Sequence, residues 1–265
     1  MQTHPVSIDV SSAPLSGGRS RPVPEEVWEA LRAQDLEEKM GQGGPHGEAV
    51  DLFVDVLSAL LAEQRRTAYV GWDVFVEWDP SDPRARLSPD VFLLEGQPAD
   101  LEPSIWCTWQ PGCDPPRFAL EIVSERSRAK DYETNPGKYA ALGVEELVVF
   151  DPEASGPGAP RNAIPLQVFR RSPRGQFLRV YQGEGPTQSA VLGAFLVASD
   201  AGHRLRLARN VEGTDMIPTP TEQARAAREE ARSAAEQARA ATARAEAAEA
   251  RVRQLEEELA RARAT

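Results

Sequence analysis

The chain has 265 residues, a net charge of −11 and a hydrophobic content of 41%. This length is enough for one domain of ordinary size with a buried core, plus an additional segment. No apolar run approaches the roughly 20 residues that a membrane-spanning helix needs. The acidic balance argues against a protein that accumulates on nucleic acid by electrostatics alone, because affinity for phosphate backbones comes largely from Lys and Arg.

The first two segments along the chain are a leader and the body of the protein. Residues 1–21 lack the basic-then-apolar pattern of a signal peptide and are expected to form a disordered leader. Residues 22–215 are expected to form one folded domain. Its cysteines, Cys107 and Cys113, flank a Trp/Pro/Gly loop without a nearby His. They predict neither a zinc site nor a disulfide framework and favour a reduced, cytoplasmic setting.

Within the domain, helical and strand patterns follow one another irregularly. Helices are predicted over residues 22–40, 46–63 and 136–142, the second from apolar residues at helical spacing. Strands are predicted over residues 68–78, 89–95, 118–123, 146–151, 164–171, 176–182 and 203–209, with a loop over residues 106–116. This order predicts an α/β fold, with a mixed central sheet flanked by helices.

Residues 216–265 differ in composition from the domain and are rich in Ala, Glu and Arg. From Ala224 to Ala262, apolar residues recur in alternating steps of three and four, and all are Ala except Val252, Leu255 and Leu259. This pattern predicts a long coiled-coil helix that joins a homodimer through residues 221–265. A lone Ala-rich helix, or a hairpin within another assembly, stays open because an alanine seam buries little area.

One acidic residue interrupts the most apolar predicted strand, FALEIV. Burying an unpaired carboxylate is costly, so Glu121 needs a partner. In a strand, Glu121 and Val123 share one face, while Leu120 and Ile122 share the other. Glu121 is therefore either a functional carboxylate or a charge held by a structural partner.

A second carboxylate begins another predicted strand. Asp90 follows Pro89 at the start of PDVFLLE. If the two strands are neighbours, Asp90 and Glu121 converge on one cleft, where their like charges repel unless a cation lies between them. A hard divalent ion such as Mg²⁺ would relieve this repulsion and would also activate water against a phosphoryl group.

Three motifs give the sequence a resemblance to a known family. SPD (88–90), LEIVS (120–124) and KDYETNPGKYAALGVEELVVFDP (130–152) resemble the Uma-two family of restriction endonucleases, within the PD-(D/E)XK nuclease superfamily. The resemblance covers residues 47–209, and GVEELVVFDP is its most family-specific piece. It implies a restriction-endonuclease-like fold and Mg²⁺-dependent hydrolysis of DNA phosphodiester bonds, with Mn²⁺ as an expected substitute.

Carried over by position, the resemblance implies that Asp90 and Glu121 are the metal-binding catalytic carboxylates. The superfamily usually has a lysine two residues after the glutamate, where this chain has Val123. Many members of the family have that lysine at the position of Asn135 instead, and this chain departs there too. This chain therefore has no lysine at either of the two positions, 123 and 135, where the family and its superfamily have one.

The segment NPGKYAALG suggests another source for the amine. Asn135 is a favourable N-cap and Gly143 a favourable C-cap, so Lys138 is expected in the first helical turn, within reach of the carboxylates. Lys138 is the preferred catalytic lysine, and Lys130 is the reserve. Asp131 fits either a local cap or a partner of the lysine.

Glu48 is a candidate third metal ligand, because many superfamily members use a glutamate of the first helix, and His46 is a weaker neighbour. An exposed polar position on a helix is the simpler interpretation of Glu48. Two other functions stay open for the chain as a whole. A non-catalytic scaffold that oligomerises through its tail is favoured by Val123 and by the acidic composition, and the same chemistry would permit phosphoester hydrolysis on RNA or nucleotides.

Overall fold

A computed structural model of the chain describes residues 7–8, 22–39 and 44–263. The chain divides into two compact units, Met1–Ile217 and Pro218–Thr265. Apart from Ser7 and Ile8, the predicted leader at residues 1–21 lies outside the described residues. No helix in the described ranges is long and apolar enough to cross a membrane.

The first unit combines helices with many short strands. Its described helices are α1 (Glu25–Lys39), α2 (Pro45–Gln64) and α3 (Asn135–Leu142), with a π-helical turn at Lys130–Thr134 directly before α3 and a 3₁₀ turn at Asp200–Gly202. Its described strands are β1 (Ser7–Ile8), β2 (Ala68–Gly71), β3 (Phe75–Glu77), β4 (Arg86–Leu87), β5 (Val91–Glu95), β6 (Ile105–Cys107), β7 (Phe118–Ile122), β8 (Glu146–Phe150), β9 (Leu166–Arg171), β10 (Phe177–Gly183), β11 (Thr187–Ser189), β12 (Ala194–Ser199) and β13 (Arg204–Ala208).

The described strands of this unit form one large sheet and two small ones. The central sheet has seven strands in the order β1-β10-β9-β8-β7-β5-β2. Strands β7 and β8 run parallel, and the other neighbouring strands in it run antiparallel. The small sheets have the orders β11-β12-β13 and β4-β3-β6. The predicted mixed α/β fold with a central sheet is confirmed.

The central sheet separates two apolar cores. The first lies between the sheet, α2 and the β11-β12-β13 sheet, and the second lies between the sheet, α3 and the β4-β3-β6 sheet. Alternate residues of a strand face opposite sides of a sheet. In β7, Leu120 and Ile122 accordingly lie in the first core, and Ala119 lies in the second, together with Val123. We call the side of the second core the α3 side.

The structure differs from the predicted elements in several places, among them β1, which lies in the expected disordered leader, and β4, which lies between two predicted strands. The predicted strand at 68–78 is divided into β2 and β3, because Asp73 has a left-handed backbone with φ of 54° and cannot continue a ladder. Part of the predicted loop at 106–116 is strand β6, which pairs with β3. Strands β11 and β12 were not predicted, since each is short and finds its partner only in the small second sheet.

The second unit contains α4 (Pro220–Arg263), which agrees with the predicted long helix. A reciprocal capping box begins it. The Thr219 N–H donates to the Glu222 carboxylate over 2.8 Å, and the Glu222 N–H donates to Thr219 Oγ1 over 3.1 Å. Pro220 lies at the first helical position, where its missing N–H is not needed. None of the described residues of α4 is buried.

Candidate active site

Strand pairing brings the two predicted carboxylates to facing positions. β5 and β7 are antiparallel, with Val91 opposite Leu120, so the next step of this register sets position 90 opposite position 121. Phe92 lies in the core of the α3 side, and alternation along the strand gives Asp90 the same side. Asp90 and Glu121 are both buried. The two acids therefore lie on one face of the sheet, at one end of the β5–β7 pair.

The Asp90 carboxylate is held by two groups. Its Oδ2 accepts a hydrogen bond of 2.7 Å from the backbone N–H of Ile122, the residue after Glu121. Its Oδ1 lies 3.2 Å from Nε2 of His46, which is in the first turn of α2. Because a backbone donor and a histidine fix its two oxygens, Asp90 has one preferred orientation.

The Glu121 carboxylate accepts hydrogen bonds from two side chains of α3. Its Oε1 accepts one bond of 2.7 Å from the Tyr139 hydroxyl and one of 3.1 Å from Asn135 Nδ2. Asn135 Nδ2 also donates to Asp131 Oδ1 over 2.8 Å. The buried glutamate is thus balanced by donors, as a buried charge in an apolar strand requires.

The site is electrostatically acidic. The pKa of Asp131 is raised to about 6, first by burial and then by the nearby charge of Asp90, against the lowering effects of Ser127, Lys130 and Asn135. The pKa of the Tyr139 hydroxyl is raised well above its usual value by complete burial, followed by the charge of Glu121 and its hydrogen bond. Tyr139 therefore stays protonated and donates to Glu121.

The two acids and α3 lie within a region that matches a known protein family. A family model described as "Uma2: Putative restriction endonuclease" matches residues 24–197. This range spans more than half of the chain and contains Asp90, Glu121 and all of α3. The chain belongs to the Uma2 family. The family likeness predicted from three short motifs is confirmed, and the description of the family supports a nuclease.

Comparisons with individual proteins add less. None of the curated proteins matches this Uma2 chain. A solved structure with some similarity is described as a putative nuclease belonging to DUF820 from Anabaena variabilis ATCC 29413. It is 15% identical, with 56% of this chain and 74% of that chain covered, and its TM-score is 0.39. At this identity and TM-score, the likeness carries no conclusion about the function of the Uma2 chain.

The structure locates the other predicted site residues of this Uma2 chain around the same end of the sheet. Lys138 is half-buried in α3, directly before Tyr139. Lys130 is exposed next to Asp131, and its charge lowers the pKa of that acid. Glu48 is exposed in the first turn of α2, whereas the His46 side chain on the same turn contacts Asp90. The roles given to Lys138, Lys130 and Glu48 stay predictions.

Two groups at the site were missed by the sequence analysis. Tyr139 had no predicted function; its ring lies in the core, and its hydroxyl donates to Glu121. Asn135 was predicted as an N-cap, which is wrong, because it has helical dihedrals and follows the π-helical turn without a break. Its side chain binds the two carboxylates instead. The signal available was the four-residue spacing of Asp131, Asn135 and Tyr139, which sets them on one helical face.

The donor set fits a hard divalent cation with few protein ligands. In the part of the chain that the structure describes, no group of three or more His, Cys, Asp or Glu side chains has the arrangement of a metal site. Mg²⁺ usually takes only one or two carboxylates and completes its shell with water and substrate phosphates. Asp90 and Glu121 supply that number of carboxylates, with oxygen donors of the right type.

Proposed function

We propose that this Uma2 protein is a Mg²⁺-dependent endonuclease that hydrolyses DNA phosphodiester bonds. The observation that carries the proposal is the pairing of β5 with β7, which aligns positions 90 and 121 on the α3 side of the sheet. Two carboxylates on one face of the sheet supply the kind and number of oxygen ligands that Mg²⁺ takes from a protein. The nuclease description of the family supplies the reaction class.

Asp90 and Glu121 would hold the metal. When bound, Mg²⁺ supplies charge stabilisation at a phosphoryl oxygen and a water of lowered pKa. The hydrogen bonds from Tyr139 and Asn135 hold the Glu121 carboxylate in one orientation. The N–H of Ile122 orients the Asp90 carboxylate. The protein thus contributes preorganised acceptors in a largely buried site.

Lys138 is proposed to stabilise the charge that develops on the phosphate, with Lys130 as the reserve. Its position next to Tyr139 in α3 supports this role, because α3 already supplies the two donors to Glu121. Glu48 is proposed as a further ligand and His46 as the group that orients Asp90. Preorganised donors and cations of this kind account for much of the catalysis in phosphoryl transfer.

The test is plasmid nicking by the Glu121→Gln variant. We expect the wild type to bind Mg²⁺ or Mn²⁺ in calorimetry and to nick supercoiled DNA, and we expect Glu121→Gln to lose at least about 100-fold in rate, since a metal ligand is neutralised. Gln keeps the acceptor for Tyr139 and Asn135, so the fold should persist in circular dichroism. Glu125→Gln, at a nearby exposed acid, is the matched control and should cleave normally.

A non-catalytic scaffold is the second candidate, and specific residues favour it. The two positions from which the resemblance would take a lysine have Val123, which is buried, and Asn135, which is neutral. A wild-type protein that binds no divalent cation and cleaves neither DNA nor RNA would establish the scaffold instead. Cleavage that persists in Glu121→Gln would retain a nuclease but remove this site assignment. Cleavage of RNA or nucleotides in preference to DNA would shift only the substrate.

The proposal also includes a homodimer formed through residues 221–265. The support is the apolar a/d repeat of α4, together with the absence of any buried residue along its described length. A solvated helix with so little packing gains stability when its apolar stripe is covered. Two nuclease domains joined in this way would be suited to cutting both strands of a duplex.

A further inference from the structure

Three large aliphatic side chains form a stripe near the C-terminal end of α4. Val252, Leu255 and Leu259 are 54%, 47% and 53% exposed. They recur at steps of three and four residues, so they lie on one helical face. Contiguous exposed aliphatic groups bordered by charge are typical of an interaction surface. A partner that covers these three side chains would remove them from water.

The charges beside the stripe form a regular pattern. In heptad notation Val252 and Leu259 occupy a positions and Leu255 occupies a d position. The e and g positions that flank this apolar face are all charged between residues 244 and 263. The g residues are Arg244, Arg251 and Glu258, and the e residues are Glu249, Glu256 and Arg263. Such e and g charges determine the partner and the orientation of coiled coils.

A parallel, in-register pair of copies matches these charges at every step. In that geometry each g residue lies opposite the e residue five positions later on the other helix. The resulting pairs are Arg244 with Glu249, Arg251 with Glu256, and Glu258 with Arg263. All three pairs have opposite charges, and the two-fold symmetry makes each of them occur twice. Val at a with Leu at d also favours two parallel strands.

An antiparallel pair matches less well. With Val252 of one copy opposite Leu255 of the other, e residues meet e residues and g residues meet g residues. Glu249 then meets Glu256, a repulsive contact that occurs twice, while Arg251 meets Glu258. The repulsions offset the attractions, so the charge pattern discriminates against this orientation.

We propose that residues 244–263 pair with the same segment of a second copy as a parallel, in-register, two-stranded coiled coil. The inference rests on the homodimer of the proposed function and adds its orientation, and it does not depend on catalysis. A parallel coil joins both copies of the first unit to the same end of the coil. That connection would let two nuclease domains act on one stretch of duplex.

Charge reversal in the full-length chain tests the predicted pairs. Glu258→Arg sets two arginines opposite each other, and Arg263→Glu sets two glutamates opposite each other. Each single variant should raise the dimer dissociation constant about tenfold in sedimentation equilibrium, since two attractions per dimer become repulsions. The double variant should return to within about threefold of wild type, because opposite charges face each other again.

Glu257→Arg is the matched control, with the same change of charge on the outer side of the coil. It should change the dissociation constant by less than about twofold. Circular dichroism of every variant checks that α4 stays helical. Single variants that dimerise as tightly as the control would overturn the proposed pairs, and so would a double variant no better than the singles.

Cross-linking reports the orientation directly. After mild oxidation with diamide, Leu255→Cys alone should form a covalent dimer, because equivalent d residues face each other in a parallel coil. Wild type, which keeps Cys107 and Cys113, is the background control. If Leu255→Cys joins only when mixed with Val252→Cys, the coil is antiparallel and the orientation alone is overturned. A wild type that stays monomeric at all concentrations removes the homodimer as well, while metal binding and nicking are measured separately.

Discussion

Glu121 owes its place in an apolar strand to the donors that surround it. A buried carboxylate without partners would cost several kcal/mol. The Tyr139 hydroxyl and the Asn135 amide offset that cost by donating to the same oxygen, at 2.7 and 3.1 Å. Both donors come from α3, so the position of α3 and the orientation of the Glu121 carboxylate depend on each other.

Asp131 provides a prediction on pH. Its pKa of about 6 in the folded protein exceeds the ordinary value of 3.8, so the folded state binds the proton more tightly than the unfolded state. The free energy of unfolding should therefore fall as pH rises from about 4 to above 6, by about 2–3 kcal/mol from this group. Asp131→Asn removes the effect. We expect the variant to gain that amount over wild type between about pH 4 and pH 7.5.

Urea denaturation in the presence of a chelator measures this difference. Glu133→Gln, at an exposed acid in the same π-helical turn, is the control and should show no such trend with pH. A constant difference between Asp131→Asn and wild type across this range would mean that Asp131 ionises normally. The burial of the site would then be less complete than the structure has it.

The sequence predicted the two acids more readily than their partners. Glu121 was conspicuous because one charge interrupts an apolar strand, and Asp90 begins another strand after a proline. That they face each other depends on the β5–β7 register, which no local pattern determines. Asn135 was misassigned because its strong local preference for an N-cap competes with tertiary contacts, and here the contacts with Asp131 and Glu121 prevail.

Among the elements, β2 offers a sharp test of packing next to the site. Gly71 lies opposite Phe92 of β5, and a Cβ built on Gly71 would lie only 2.2 Å from Cζ of that ring. Phe92 is fully buried and packs edge-on against Tyr69, so it has no room to move away. Gly71→Ala should therefore lower the free energy of unfolding by about 2–3 kcal/mol.

The matched control is Gly137→Ala in α3, where an added Cβ meets nothing within 4 Å. Alanine in a helix loses less entropy on folding than glycine, so this variant should gain about 0.5–1 kcal/mol. Both values are read from denaturant midpoints at an unchanged slope. Equal stability of the two variants would contradict the close packing of Phe92 over Gly71.

The same elements show what the sequence could and could not specify. Strands β5, β7 and β8 were predicted because each is buried on both faces and has four apolar residues out of five. Strand β6 was interpreted as loop because it has only three residues and gains its ladder from β3, far away in the chain. Short strands that depend on distant partners carry little local signal.

At the scale of the whole molecule, the net negative charge is distributed unequally along the chain. Residues 221–265 contain nine Arg and nine Glu, so the net charge of −11 belongs to residues 1–220. The first unit is thus acidic and gains little general attraction to DNA. The proposed dimer would compensate in part, because one bound domain raises the effective concentration of the other at the same duplex.

This coupling predicts how the products of cleavage depend on the tail. A full-length Leu255→Ser/Leu259→Ser variant removes two of the exposed aliphatic groups of α4 and leaves Asp90 and Glu121 untouched. We expect it to be monomeric in light scattering and to nick supercoiled plasmid at a rate within about threefold of wild type, because the proposed active site takes all its residues from one copy. It should form linear DNA at least about tenfold more slowly, since the second cut must come from an independent encounter.

Ala226→Ser, outside the apolar seam, is the control and should resemble wild type. Linear product formed equally fast by the monomeric variant would separate double-strand cleavage from the coiled coil.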